Sequence, residues 1–371
     1  MKKRSLLLAL VMLLVFTLTA CGSASNNQSA NNGKASNNAN NAMANEKEDD
    51  GDKKDGEKLK IGFVTDEGGI NDQSFNQGVW EGLQKAHEDL GYEVSYQESK
   101  ESTDYAPNIE TLLDADNDII VAAGFNLADA MLEAAENNPD VNFLIVDAGY
   151  EDAPDNLTGL QFKAEEPSFL VGYIAGLTTE SNKVGFVGGQ ESTLIKAFEC
   201  GYKAGVDQAA KEKGQEVEIV SQYVGNFSDA AKGKSIATNM YQQGADVIFH
   251  AAGGAGDGVI EAAKDQDKWV IGVDRDQNDI APDNVLTSAM KRADSAIYKV
   301  LEGLSKGEDF PGGENLNFGL KEGDTVDIAP TSDKNVKPEI LEKIEPLKQR
   351  IIKGEIKVPA SEKEYEAFEA K

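Results

Sequence analysis

A pentapeptide recurs in this chain: Lys60-Ile61-Gly62-Phe63-Val64 is echoed by Lys183-Val184-Gly185-Phe186-Val187, and each copy runs into a Gly-containing loop and a long helix-periodic segment. A strand-loop-helix unit that restarts midway predicts two similar lobes rather than one large sheet. Around the two copies, apolar runs alternate with helical stretches. The pattern predicts strands at Lys60–Val64, Glu93–Tyr96, Ile119–Ala122, Asn142–Val146, Leu157–Phe162, Val184–Val187, Glu216–Ser221, Val247–His250, Val270–Val273 and Val285–Ser288. Such alternation gives parallel sheets covered by helices on both faces, an α/β fold. The chain beyond residue 58 is too long for one simple core and suits two lobes of about 120 to 170 residues.

The amino terminus carries a different signal. Lys2-Lys3-Arg4 is followed by an apolar stretch from Leu6 to Phe16, too short to span a bilayer, and then by Leu18-Thr19-Ala20-Cys21-Gly22. This resembles a bacterial lipobox. It implies a signal peptide over residues 1–20, cleavage before Cys21, and a protein held on the outer face of a Gram-positive cell membrane by lipid on that thiol alone. Residues 22–58 are Ser, Asn, Ala and Gly and then a charged run, with little to bury, and are expected to form a disordered tether.

Loss of Lys2, Lys3 and Arg4 takes the formal charge from −29 to −32, which makes nucleic acid a poor partner. With Cys21 acylated only Cys200 remains, so no internal disulfide is expected. His87 and His250 lack a Cys cluster, and no metal or cofactor is expected. Gly254-Ala255-Gly256-Asp257-Gly258-Val259 lacks the third Gly of a dinucleotide fingerprint and reads as backbone approaching a ligand at Gly254. Asp274-Arg275-Asp276-Gln277-Asn278 begins like a calcium loop, yet Asp279 and Val285 replace its Gly and Glu. No Gly-Lys-Ser/Thr phosphate loop and no nucleophile–His motif is present. These absences argue against an ATPase and against a nucleophile–His enzyme.

The ligand loop is expected at Asp66-Glu67-Gly68-Gly69-Ile70-Asn71-Asp72-Gln73-Ser74-Phe75-Asn76, which leaves the carboxyl end of a strand and opens a helix. Asp66 ends the strand, where it either accepts hydrogen bonds from ligand N–H groups or caps the loop. Asn71 and Asp72 are each placed to cap the helix. Spacing alone makes Phe75 a core residue, the first of a stripe with Val79, Leu83, Ala86 and Leu90.

That loop, Gly172 with Ala175-Gly176, Val184-Gly185-Phe186-Val187-Gly188-Gly189, Gly225-Asn226-Phe227-Ser228-Asp229, Ala252-Gly253-Gly254-Ala255-Gly256 and Gly272-Val273-Asp274-Arg275-Asp276-Gln277 together resemble the basic membrane protein family over roughly residues 59–360. These are substrate-binding lipoproteins of ABC transporters, including purine nucleoside receptors. The resemblance implies a type I periplasmic-binding-protein fold, two doubly wound parallel-sheet lobes joined by crossover hinges near Phe162–Ser168, Ser288–Arg292 and Phe310–Phe318. One lobe would hold residues 59–163 and about 289–310, the other 164–288 and about 311–371. It further implies that Phe75 stacks on a purine and that a second ring from the opposite lobe, Phe227 or its rival Phe198, completes a sandwich. Strand-end Asp147 and Asp274 would take ribose hydroxyls, with Asp274 the stronger candidate. Lys291 would bond a ribose oxygen or balance the acids, unless it is a plain surface lysine. The implied function is capture of purine nucleosides for an ABC permease; the alternatives are another planar ligand such as riboflavin, or a signalling role.

Overall fold

The computed structural model describes residues 58–370, so the expected signal peptide, Cys21 and tether lie outside the described residues. The first lobe runs β1 (Lys60–Val64), α1 (Phe75–Leu90), β2 (Glu93–Gln97), α2 (Tyr105–Leu113), β3 (Ile119–Ala123), α3 (Ala128–Asn137), β4 (Asn142–Val146) and β5 (Leu157–Phe162). The chain then crosses and repeats the pattern: α4 (Glu165–Thr178), β6 (Lys183–Gly188), α5 (Thr193–Lys213), β7 (Glu218–Tyr223), α6 (Ala230–Gln242), β8 (Val247–Ala251), α7 (Gly256–Gln266), β9 (Trp269–Asp274) and β10 (Val285–Lys291). It crosses back for α8 (Ala293–Ser305), which packs on α1, and for β11 (Asn315–Phe318). A last crossing brings it to β12 (Val326–Ile328).

The sheets are ordered β11-β5-β4-β3-β1-β2 and β12-β10-β9-β8-β6-β7, the same order twice. The pentapeptide echo is therefore a topological one: β1 and β6 occupy equivalent places. All five residues of β3 and of β8 are buried, as expected for parallel strands with helices on both faces. This is a type I periplasmic-binding-protein fold.

Three departures from the sequence reading share one physical cause. The strand expected at Glu216–Ser221 is shifted to Glu218–Tyr223, and β11 and β12 were not foreseen. All three are edge strands with one open side, and so lack the continuous apolar run that marks a central strand. The lobe boundaries move with them: β10 stays in the second sheet to Lys291, and the final crossing follows Phe318 rather than residue 310. β12 also pairs antiparallel with β10, so the second sheet is not wholly parallel.

The glycines around Gly172 serve packing. α4 crosses α5 at backbone distance, and a Cβ on Gly205 would lie 2.0 Å from the Phe169 carbonyl oxygen. That contact roots the first crossover against the second lobe.

Candidate ligand-binding site

Both sheets turn their strand carboxyl ends toward one interlobe cleft, where residues of both lobes line a common cavity. Of the residues expected from sequence, Asp66, Asp72, Phe75, Asp147, Phe227, Asp274 and Lys291 line it. Asn71 is exposed, and Gly253 lines the cavity in place of its neighbour Gly254, so neither Asn71 nor Gly254 is part of the lining.

The first-lobe wall is built by helix capping. Asp72 Oδ1 accepts from the Ser74 and Gln77 amides, each at 3.0 Å, while Oδ2 accepts from the Asn76 amide at 2.9 Å and Asn76 Nδ2 at 3.0 Å. Its acceptors are thereby used within the protein, and its work is to start α1 so that Phe75 stands at the cavity wall. Asn76 Nδ2 also donates to Asp66 Oδ1 at 2.7 Å, beside the Gly68 amide at 2.9 Å. This leaves Asn76 Oδ1 buried without a partner in the protein. Burial pushes the Asp66 carboxyl up to about 6, with the Gly68 and Asn76 bonds pulling the other way.

The opposite wall carries Phe227, Phe198, Leu194, Ile195 and Gly253. Phe227 packs edge-to-face on Phe125 of the first lobe, centroids 6.1 Å apart. Its ring lies so close over Gly189 that a Cβ there would come within 2.3 Å. Phe198, the rival, also lines the cavity but is only 2% exposed and is packed near Phe249.

At the floor sits Lys291, 4% exposed and thus no surface lysine. Its ammonium pairs with Asp147 Oδ2, stands 3.5 Å from Asp274 Oδ1, and lies 4.1 Å from the Phe75 ring centroid. Burial works against the charge on Lys291, yet the two carboxylates outweigh it and its pKa is raised. Burial likewise pushes Asp147 up while Lys291 pulls it back. The acids are repeats of one another: Asp147 follows β4, Asp274 ends the equivalent β9, and both have φ +66°. Such a left-handed strand end is uncommon for a residue with a side chain, though Asp tolerates it better than most. Asp274 Oδ2 accepts from Ser74 Oγ at 2.5 Å, so both of its oxygens face groups of the protein. Asp147 Oδ1, by contrast, is buried with no partner.

The lobes are drawn together. Arg275 pairs with Glu81 at 3.2 Å, Gln73 Nε2 donates to Asp257 Oδ2 at 3.2 Å, and Asn126 Nδ2 donates to Gln190 Oε1 at 3.5 Å. Asn76 stood in the expected ligand loop without a role of its own, and Phe125 and Asn126 escaped the sequence reading. The last two follow Gly124 directly at the end of β3, and that strand-end position was the available signal.

A pH dependence follows. The Asp66 carboxyl rises from its ordinary 3.8 to about 6 on folding, so its contribution is full below 3.8 and is lost as pH rises through about 6. The ligand-free wild type is expected to melt at higher temperature near pH 5 than near pH 7.5, with Asp66 supplying on the order of 1 kcal/mol of the difference. Melting curves of wild type and Asp66→Asn check this: the pH dependence should be visibly shallower in the variant, and identical slopes would remove Asp66 as its source.

The family model of the PnrA-like ABC transporter substrate-binding proteins matches residues 58–362. Among curated relatives, a CD4+ T-cell-stimulating antigen of Listeria innocua is 40% identical, over 97% of this chain and 99% of that protein. The ABC transporter nucleoside-binding protein BmpA of Lactococcus lactis is 38% identical, over 81% of this chain and 89% of that one. Among solved structures, an ABC transporter solute-binding protein of Aeropyrum pernix aligns with a TM-score of 0.76 at 27% identity, covering 83% of this chain and 96% of its own.

Proposed function

We propose that this chain, which belongs to the PnrA-like family of ABC transporter substrate-binding proteins, captures a purine nucleoside between its lobes and hands it to an ABC permease. The observation that carries the reading is the pairing of Phe75 and Phe227, from opposite lobes, on one cavity that has unsatisfied acceptors along its wall and floor. Two rings suit the faces of a base, and stacking contributes on the order of 1 kcal/mol per face beyond burial. Asp66 and the free Asn76 Oδ1 suit the N–H groups of a purine edge. Asp147 Oδ1 suits a sugar hydroxyl better than Asp274, whose oxygens are engaged by Ser74 and Lys291. The name of the Lactococcus relative points to the same ligand class.

Calorimetric titration with inosine, guanosine and riboflavin tests the ligand, with mass spectrometry of small molecules that survive mild purification as a second arm. Saturable nucleoside binding with no release of free base is expected. Riboflavin binding without nucleoside binding would move the reading to another planar ligand.

We also propose that the protein is anchored by lipid on Cys21, the first residue after a signal-like segment. Cys21→Ser should shift it from the membrane fraction to the culture medium. Unchanged membrane retention would refute the anchor.

A further inference from the structure

Gln277 lies outside the cavity lining, yet it is fully buried and bonded on every side. Its Oε1 accepts from the Val273 amide at 2.9 Å and meets His250 Nε2 at 3.0 Å. Its backbone N–H donates to Ser288 Oγ at 3.2 Å. These partners belong to β9, β8 and β10: two adjacent strands of the second lobe hold the side chain and the third holds its backbone. The fourth bond leaves the lobe: Gln277 Nε2 donates to the Gln73 carbonyl at 3.0 Å. Gln73 stands at φ +52°, immediately before Ser74, whose hydroxyl bonds Asp274, and Phe75.

The amide has one orientation. With Oε1 engaged by two donors, the NH₂ group must face the first lobe. His250 enforces this as a neutral imidazole protonated on Nε2, burial holding it down to about 4; its Nδ1 has no partner. Room for the side chain is made by Gly272, where a Cβ would lie 2.4 Å from Oε1 and 2.6 Å from Ser288 Oγ.

We infer that Gln277 is a positioning residue for closure: a latch, aimed by His250 and Val273, that seizes the Gln73 carbonyl only when the lobes meet and so fixes the turn presenting Phe75. The inference rests on the reading of the cleft as one that closes on ligand. The Ser74–Asp274 bond acts beside it on the next residue of the same turn. Bonds present in the closed state alone lower the dissociation rate and leave the open protein's stability as it was.

Gln277→Glu keeps both acceptor roles and replaces the donor with an oxygen that faces the Gln73 carbonyl. Gln277→Met removes polarity at similar length and serves should the first variant fold poorly. Each is expected to weaken inosine binding by roughly five- to tenfold, mainly through faster dissociation. Gln277→Met should also lower the ligand-free melting temperature, because the Val273 amide and His250 Nε2 lose their buried acceptor, whereas Gln277→Glu, which keeps that acceptor, should lower it less. Spin labels at exposed Glu136 on α3 and Lys264 on α7 report the closed fraction with and without inosine; it should fall in both variants. Affinity and closed fraction equal to wild type in both variants overturn the latch, as does an affinity loss that leaves the closed fraction unchanged. Absence of inosine binding by the wild type counts against the nucleoside reading alone, since the ligand-free closed fraction still reports the latch.

Discussion

Lys291→Met is expected to abolish measurable nucleoside binding and to destabilise the protein by about 3 to 5 kcal/mol at neutral pH, the usual cost of deleting one partner of a buried ion pair. Methionine matches the lysine stem in length, so packing against Phe75 largely survives. The charge does not. Asp147 and Asp274 would then face one another across the cavity floor with no cation between them. Burial already pushes Asp147 up, and loss of the ammonium removes the group that pulls it back. A carboxyl whose folded pKa is raised gives stability that is present in acid and lost as pH rises through that value. The deficit in melting temperature should therefore shrink as the buffer is taken from neutral toward acid. Calorimetry and melting curves across that range check both parts; wild-type affinity in the variant would show that Lys291 is dispensable to the site.

Phe227→Ala is expected to weaken nucleoside binding by about 1 to 3 kcal/mol through lost stacking and burial of one base face. Phe75→Ala should cost as much in affinity and more in ligand-free stability. The two rings differ in what else they hold. Phe75 opens α1 and lies under Lys291, whereas Phe227 sits on a loop after β7 and rests on Phe125 across the cleft. Equal inosine affinity for wild type and Phe227→Ala in calorimetry would refute the two-ring clamp.

How legible the site was depended on how each residue is held. Strand-end residues such as Asp66, Asp147 and Asp274 were visible because an apolar run announces where a buried parallel strand stops, and the carboxyl end of such a strand is where ligands bind. Phe75 was ambiguous from periodicity, since the first residue of an apolar stripe faces the core in most helices; here the strand-end loop swings it to the cleft. Asn71 and Asp72 were equivalent on paper, as both are good capping residues. Only coordinates show Asp72 turned inward to take four donors while Asn71 is left to solvent. Lys291 looked equally suited to surface or site, because a lysine at the end of a strand carries no mark of its own burial.

The sequence by itself determined the α/β class, the two-lobed repeat and the set of loops that meet at the cleft, because periodicity and strand-end chemistry are local properties. Tertiary structure alone decided the contacts that cross the cleft. The Lys291 triad joins residues 147, 274 and 291, and the Gln277 latch joins 73, 250 and 277. Side chains so far apart along the chain meet only when two separately folded sheets close on one another, and no local pattern records the meeting. The edge strands belong with them: their place is set by the neighbour they pair with, not by an apolar run of their own.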